Sequence, residues 1–222
     1  MPLRFEPIEE QVYELLRKEI VTGIRLPGAQ LRLSEVAGAL GTSTMPVRGA
    51  VSRLKVEGLV VGRPRHGNVV APLHLSDLTD IQTVRMGLEG IGARLGAASL
   101  EDVSLERITK SFHRLENVVQ DEEFALDEYL SLIREIHDVC YEATGSPRLL
   151  ELIRTFRAAA ERYLRLAMRK PSALVTDVQN QGRFVAACAR RDGTGAEEAT
   201  RALLSWTIEQ VAPTLRSEGG GS

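Results

Sequence analysis

The sequence predicts a mainly α fold: a small N-terminal head of helices closed by a β-hairpin, then an all-α six-helix bundle. Three observations predict it. Apolar residues recur at helical spacing through almost the whole chain. Residues 33–54 read as two short helices split by Gly41. Directly behind them, Leu59-Val60-Val61 and Asn68-Val69-Val70 are two β-prone runs around the basic tip Gly62-Arg63-Pro64-Arg65-His66-Gly67.

The head begins with an amphipathic stretch over 8–22, where Val12, Leu15, Leu16, Glu19 and Ile20 share helical spacing and Gly23 ends the pattern. Leu26-Pro27-Gly28 is a turn. Ser34 is an expected N-cap, and Val36, Ala37 and Leu40 form the apolar face behind it. Ser43 caps the next helix, with Pro46 and Val47 in its first turn. That helix turns Val47, Ala50, Val51 and Leu54 inward and leaves Arg48, Ser52, Arg53 and Lys55 for its other faces. Two short helices joined by a tight turn are a helix-turn-helix, whose second helix enters a DNA major groove; the basic hairpin is its wing.

Ala71-Pro72-Leu73-His74 reads as a linker, with Ser76 expected to cap a new helix. From there no strand is predicted. Helices are expected over 78–100, 105–120, 123–143, 147–169, 175–191 and 196–215. In the first, Ile81, Val84, Leu88, Ile91 and Leu95 are expected on the buried face. Its glycines, at 87, 90, 92 and 96, each cost about 1 kcal/mol against Ala and point to close packing or a cavity. The expected domains are therefore a DNA-binding head over 1–72, a helical effector-binding and dimerisation domain over 73–216, and a disordered tail over 217–222.

At 222 residues the chain suits one or two domains. Its net charge of −2 is divided unevenly, with ten basic and seven acidic residues through Pro72 and eighteen and twenty-three beyond. A mildly basic head on an acidic body fits a DNA reader joined to a domain with another task. No apolar run approaches the roughly 18 residues of a membrane span, and the N-terminus lacks a signal peptide's apolar stretch, so a cytoplasmic location is expected. Cys140 and Cys188 show no metal-type spacing and read as buried free thiols. No phosphate loop and no nucleophile beside a His suggests catalysis, and no cofactor is expected.

The head resembles the winged helix-turn-helix of the GntR family of bacterial transcription regulators. The matching residues run through Val12, Leu15, Ile20 and Gly23; Pro27-Gly28 and Leu31; Val36-Ala37 and Leu40-Gly41; Ser43, Pro46-Val47-Arg48, Ala50 and Leu54; then Glu57-Gly58-Leu59 and Gly67. The family usually starts its recognition helix Ser-Arg-Thr-Pro-Val-Arg-Glu-Ala-Leu. Here Thr44 stands in place of the first Arg, which puts the usual operator sequence in doubt. The resemblance implies that Ser43, Thr44 and Met45 reach the groove. It implies that Arg48 and Arg53 contact phosphates or bases. Arg65, His66 and Gly67 would place the wing in the minor groove or on its phosphates.

The helical segment resembles the effector domain of the FadR branch of that family. Val84-Arg85-Met86-Gly87-Leu88-Glu89, Glu135-Ile136-His137, Ala143-Thr144-Gly145-Ser146-Pro147 and residues 186–192 carry the match. Many relatives bind a divalent metal there through one Asp and three His. The corresponding positions are Ile133, His137, Gln181 and the region of Ser205-Trp206, so one ligand of four is present and no metal is expected. Arg85, His137, Gln181 and Trp206 are the candidate effector residues, with Met86, Leu88, Ile133 and Val185 as apolar lining. Arg85 near a bundle interior needs an anion; Glu89 at i+4 and a ligand carboxylate are the alternatives. The expected function is a ligand-responsive repressor that binds a palindromic operator as a homodimer. Two alternatives stay open: a DNA-binding or protein-interaction module without an effector, and an all-helical enzyme with a DNA-binding head.

Overall fold

The computed structural model describes residues 7–121, 124–168 and 171–219. The chain forms two compact units, residues 1–73 and 74–222. In the first, α1 (Ile8–Val21) precedes the two-residue strand β1 (Gln30–Leu31), α2 (Leu33–Ala39) and α3 (Thr44–Val56). Strands β2 (Val60–Arg63) and β3 (Gly67–Val70) follow. The three strands form one antiparallel sheet in the order β1-β3-β2, with Val61 opposite Val69 and Gln30 opposite Val69 on the other side. A two-residue strand is too short to show alternation, so β1 has no signature in the sequence.

Val12, Leu16, Ile20, Val36, Val47, Ala50, Val51, Leu54, Leu59 and Val70 fill the core of this unit. Leu15 and Leu40, expected on apolar faces, are exposed. Gly41, at φ +63, ends α2 at the turn, and Thr42 N–H closes it onto the Ala37 carbonyl at 3.0 Å. Ser43 occupies the N-cap of α3. Ser34 and Ser76 do not cap: Arg32 and His74 hold those positions, and the serines fall inside the first turns.

The second unit is built of α4 (Leu75–Ala98), α5 (Asp102–Val118), α6 (Leu126–Glu142), α7 (Pro147–Ala167), α8 (Pro171–Ala189) and α9 (Gly193–Gly219). The mainly α architecture with six helices behind the head is as expected. The tail is not: α9 continues to Gly219, and the remainder of the tail, residues 220–222, lies outside the described residues. Cys140 and Cys188 are free, buried and 3.8 Å apart.

The face of α4 is a correction. Leu78, Gln82, Glu89, Gly92, Ala93, Gly96 and Ala97 are buried, whereas Val84, Ile91 and Leu95 are exposed. Small residues decide this. At Gly96 a Cβ would stand 2.0 Å from the Cys140 carbonyl oxygen, and at Gly92 it would touch the Tyr141 ring at 3.2 Å. The backbone of α4 thus lies against α6; Val84, Ile91 and Leu95 are left on the other side, while Leu88 packs against the core.

This packing has a measurable consequence. Gly96→Ala is expected to lower stability by about 1–3 kcal/mol, because the obstructing atom is backbone. Gly87→Ala, with nothing within 4 Å, is expected to raise it by roughly 0.5–1 kcal/mol through helix propensity. Urea unfolding midpoints of the two variants check the contrast; equal effects would refute the close approach.

Candidate functional site

In the head, 3.6 residues per turn place Met45, Gly49 and Ser52 opposite the buried Val47, Ala50 and Leu54. Ser43, Thr44, Met45 and Arg48 are all exposed. Arg48 has no ion-pair partner among the described residues, while Ser52 turns its hydroxyl back to donate to the Arg48 carbonyl at 2.9 Å.

Arg53 is placed differently. Its guanidinium grips the Glu10 carboxylate with two N–H groups and lies 3.7 Å over the Tyr13 ring. The hydrogen bond from Arg53 holds the Glu10 carboxyl below its ordinary range. Tyr13 in turn donates to Glu57. Arg53 therefore braces α1 against α3, whereas Arg48 on the open side does not.

The wing tip carries Arg63, Arg65 and His66, all exposed. Arg65 stands at φ +65, a conformation that Gly or Asn takes more readily. Gly67 follows at φ +68, and His66 N–H closes the turn on the Arg63 carbonyl at 3.2 Å. Gln30 of β1 donates its side-chain amide to the His66 carbonyl at 2.7 Å, which ties the tip to the sheet edge.

In the bundle, a chain of hydrogen bonds crosses the interior. Gln82 donates to the Leu204 carbonyl of α9 at 3.3 Å and accepts from Arg85 at 3.0 Å. Arg85 also grips Glu89 at 2.6 Å. The Tyr141 hydroxyl donates to the other Glu89 oxygen at 3.1 Å and meets His137 Nδ1 at 3.1 Å. His137 Nε2 lies 2.9 Å from the Gln181 amide oxygen, and Gln181 donates to Asp177 at 3.4 Å. Tyr129 donates to the same Asp177 oxygen at 2.6 Å. Four helices, α4, α6, α8 and α9, are joined this way.

The electrostatics follow from burial. Burial opposes the Glu89 charge, but Arg85 and Arg157 together hold its carboxyl below the ordinary range. Burial, with the charge of Arg157, pushes His137 down to about 4. A neutral imidazole donates through one nitrogen. With Nε2–H on Gln181, Nδ1 accepts, and His137 and Glu89 then compete for the Tyr141 hydroxyl. Burial pushes Asp177 up to about 6 against the hydrogen bonds from Tyr129 and Gln181.

The structure joins two of the four candidate effector residues directly, His137 and Gln181. Arg85 connects to them through Glu89 and Tyr141. Its anion is Glu89, the first of the two alternatives. Trp206 lies in the apolar core cluster of α9 and its neighbours. Gln82, Tyr129, Tyr141, Arg157 and Asp177 join the network without having been singled out by the sequence. The i, i+4 pairs His137/Tyr141 and Asp177/Gln181 were the available signal, since each stacks two polar groups on one helix face.

The donors do not fit a divalent metal held by one Asp and three His. Ile133 has no lone pair, and the His137 nitrogens face Tyr141 and Gln181. No three His, Cys, Asp or Glu side chains converge among the described residues.

Comparison with known proteins places both units. The model of the FCD domain matches residues 80–205, and that of bacterial regulatory proteins of the gntR family matches residues 8–70. The Escherichia coli HTH-type transcriptional repressor RspR is 23% identical over 206 residues, covering 93% of this chain and 90% of the relative. A probable D-xylose utilization operon transcriptional repressor of Paenarthrobacter nicotinovorans is 37% identical over 114 residues, covering 51% of this chain and 50% of the relative. The solved structure of E. coli McbR/YncC superposes with a TM-score of 0.75 at 21% identity, covering 96% of this chain and 99% of that one. No helix among the described residues is long and apolar enough to cross a membrane.

The two shifted groups of the bundle have opposite effects on stability. Asp177, raised to about 6, contributes stability below its ordinary 3.8 that is lost as pH rises to 6. His137, lowered to about 4, contributes stability above its ordinary 6.5 that is lost as pH falls to 4. Relative to the parent, Asp177→Asn should make stability climb more steeply between pH 4 and 6, by about 2 kcal/mol, and His137→Gln should make it climb less. Urea titrations across that range check this; parallel pH profiles for all three proteins would refute the assigned charge states.

Proposed function

We infer that this protein, which belongs to the gntR family of bacterial regulatory proteins and carries an FCD domain, is a cytoplasmic, FadR-like repressor released from DNA by a small molecule. The observation that carries the DNA half is Arg48. It has no ion-pair partner among the described residues and stands beside the exposed first turn of α3, where a recognition helix meets base edges and phosphates. Ser43, Thr44 and Met45 extend that surface. Arg65, His66 and Gly67 supply the wing, and an Arg kept at positive φ at its tip fits a binding role that outweighs the strain.

A palindromic operator calls for two heads. Val84, Ile91 and Leu95 support dimerisation through α4: three exposed apolar side chains at intervals of seven and four residues make one stripe along the helix. The effector would act in the bundle. Arg85, His137 and Gln181 support that reading as members of the polar chain through the bundle interior, with Trp206 in the apolar core cluster around it. A mostly apolar ligand with one anionic or hydrogen-bonding group would meet that chain with its polar end and the core with the rest. Effector binding lowers operator affinity by favouring a state in which the two heads no longer match the half-sites. The regulatory role needs no catalytic group, and the reading is of a non-enzyme.

Two measurements test this. On an operator selected from random DNA, Arg48→Ala should weaken binding and flatten the slope of log affinity against log salt by about one unit for each phosphate no longer neutralised. Arg53→Ala should lower Tm and leave that slope unchanged. Sedimentation should give two chains per operator. A slope changed by Arg53 and not by Arg48 would invert the assignment.

For the effector, a thermal-shift panel should show stabilisation by aromatic or acyl acids, and Arg85→Ala, at a cost in Tm from the Glu89 partner it removes, should abolish ligand-induced release while sparing operator binding. Stabilisation by citrate or sugar acids alone would overturn the ligand class.

A further inference from the structure

Met45 is 74% exposed, in the first turn of a helix that buries Val47, Ala50, Val51 and Leu54. On its side of the helix, Gly49 has no side chain and is covered by the Glu9 carboxylate of α1, and the Ser52 hydroxyl is engaged by the Arg48 carbonyl. Val56, the other exposed apolar residue of α3, lies eleven residues on, roughly 16 Å along the axis. A major groove is about 12 Å wide, and recognition helices enter it by their N-terminal ends, so Met45 is the one in reach.

An unbranched thioether cannot read the hydrogen-bond pattern of a base edge. It can pack against the one apolar group the major groove displays, the C5-methyl of thymine. Arg48, one turn on, anchors the same helix end. We propose that Met45 is a specificity-determining residue that selects thymine by its methyl group at one position of each half-site. The proposal rests on the DNA-reading function above.

The test replaces atoms in the DNA rather than in the protein fold. A site is selected from a random pool with the full-length protein, then resynthesised with deoxyuridine at each thymine in turn, which removes the methyl alone. At one thymine per half-site the substitution should lower parent affinity roughly fourfold, the worth of one buried methyl-sized group. Met45→Ala should bind the thymine and uracil sites equally. Its exposed side chain makes no core contact, so folding, checked by Tm, should be unaffected. If no thymine responds, or if the parent and Met45→Ala respond alike, the proposal is overturned while DNA reading stands. If no sequence is enriched at all, the DNA-reading function fails, and the proposal with it.

Discussion

Glu89 carries a charge at 2% exposure in the middle of a helical bundle, and much of the bundle's polar interior answers to it. An isolated carboxylate there would be prohibitively unstable. Arg85 reaches it from one turn away on α4, Arg157 approaches from α7 at 3.9 Å, and Tyr141 donates from α6. Each partner then needs its own: Arg157 pairs with Asp138, Arg85 with Gln82, and Tyr141 with His137. The result is a network balanced in formal charge, with two Arg against Glu89 and Asp138. Removing one member leaves a buried charge uncompensated, which costs far more than a surface ion pair contributes.

The network exists because α4 comes close. Gly92 and Gly96 let its backbone rest on Tyr141 and on the Cys140 carbonyl, so Glu89 meets the Tyr141 hydroxyl without a long side chain bridging a gap. The glycines cost helix propensity and return it as packing and polar contact. Val84, Ile91 and Leu95 of α4 are left outside, where they form the stripe on which the dimer reading rests.

In the head a similar division of labour separates two arginines five residues apart. Arg53 is on the side of α3 that faces α1, where Glu10 and Tyr13 capture it. Arg48 is on the open side and stays unpaired among the described residues. One stabilises the helix on which the other stands open.

The sequence by itself determined the order and type of the elements. Glycine at positions 41 and 67 takes positive φ, apolar residues recur at helical period, and two β-prone runs flank a basic tip; these are local effects that each segment carries with it. It also determined that Ile133 and Gln181 cannot replace a metal's Asp and His, since ligand chemistry is a property of the residue. Tertiary structure alone decided which face of α4 is buried, because the period of Ile81, Val84, Leu88, Ile91 and Leu95 is equally apolar whether covered or open. The choice came from backbone approach at Gly96, an atom-to-atom distance with no signature in hydropathy. It alone decided that Arg53 braces and Arg48 does not, and that His137 and Gln181, forty-four residues apart, meet at 2.9 Å. Those pairings depend on how helices distant in sequence are packed, and a one-dimensional pattern does not encode that.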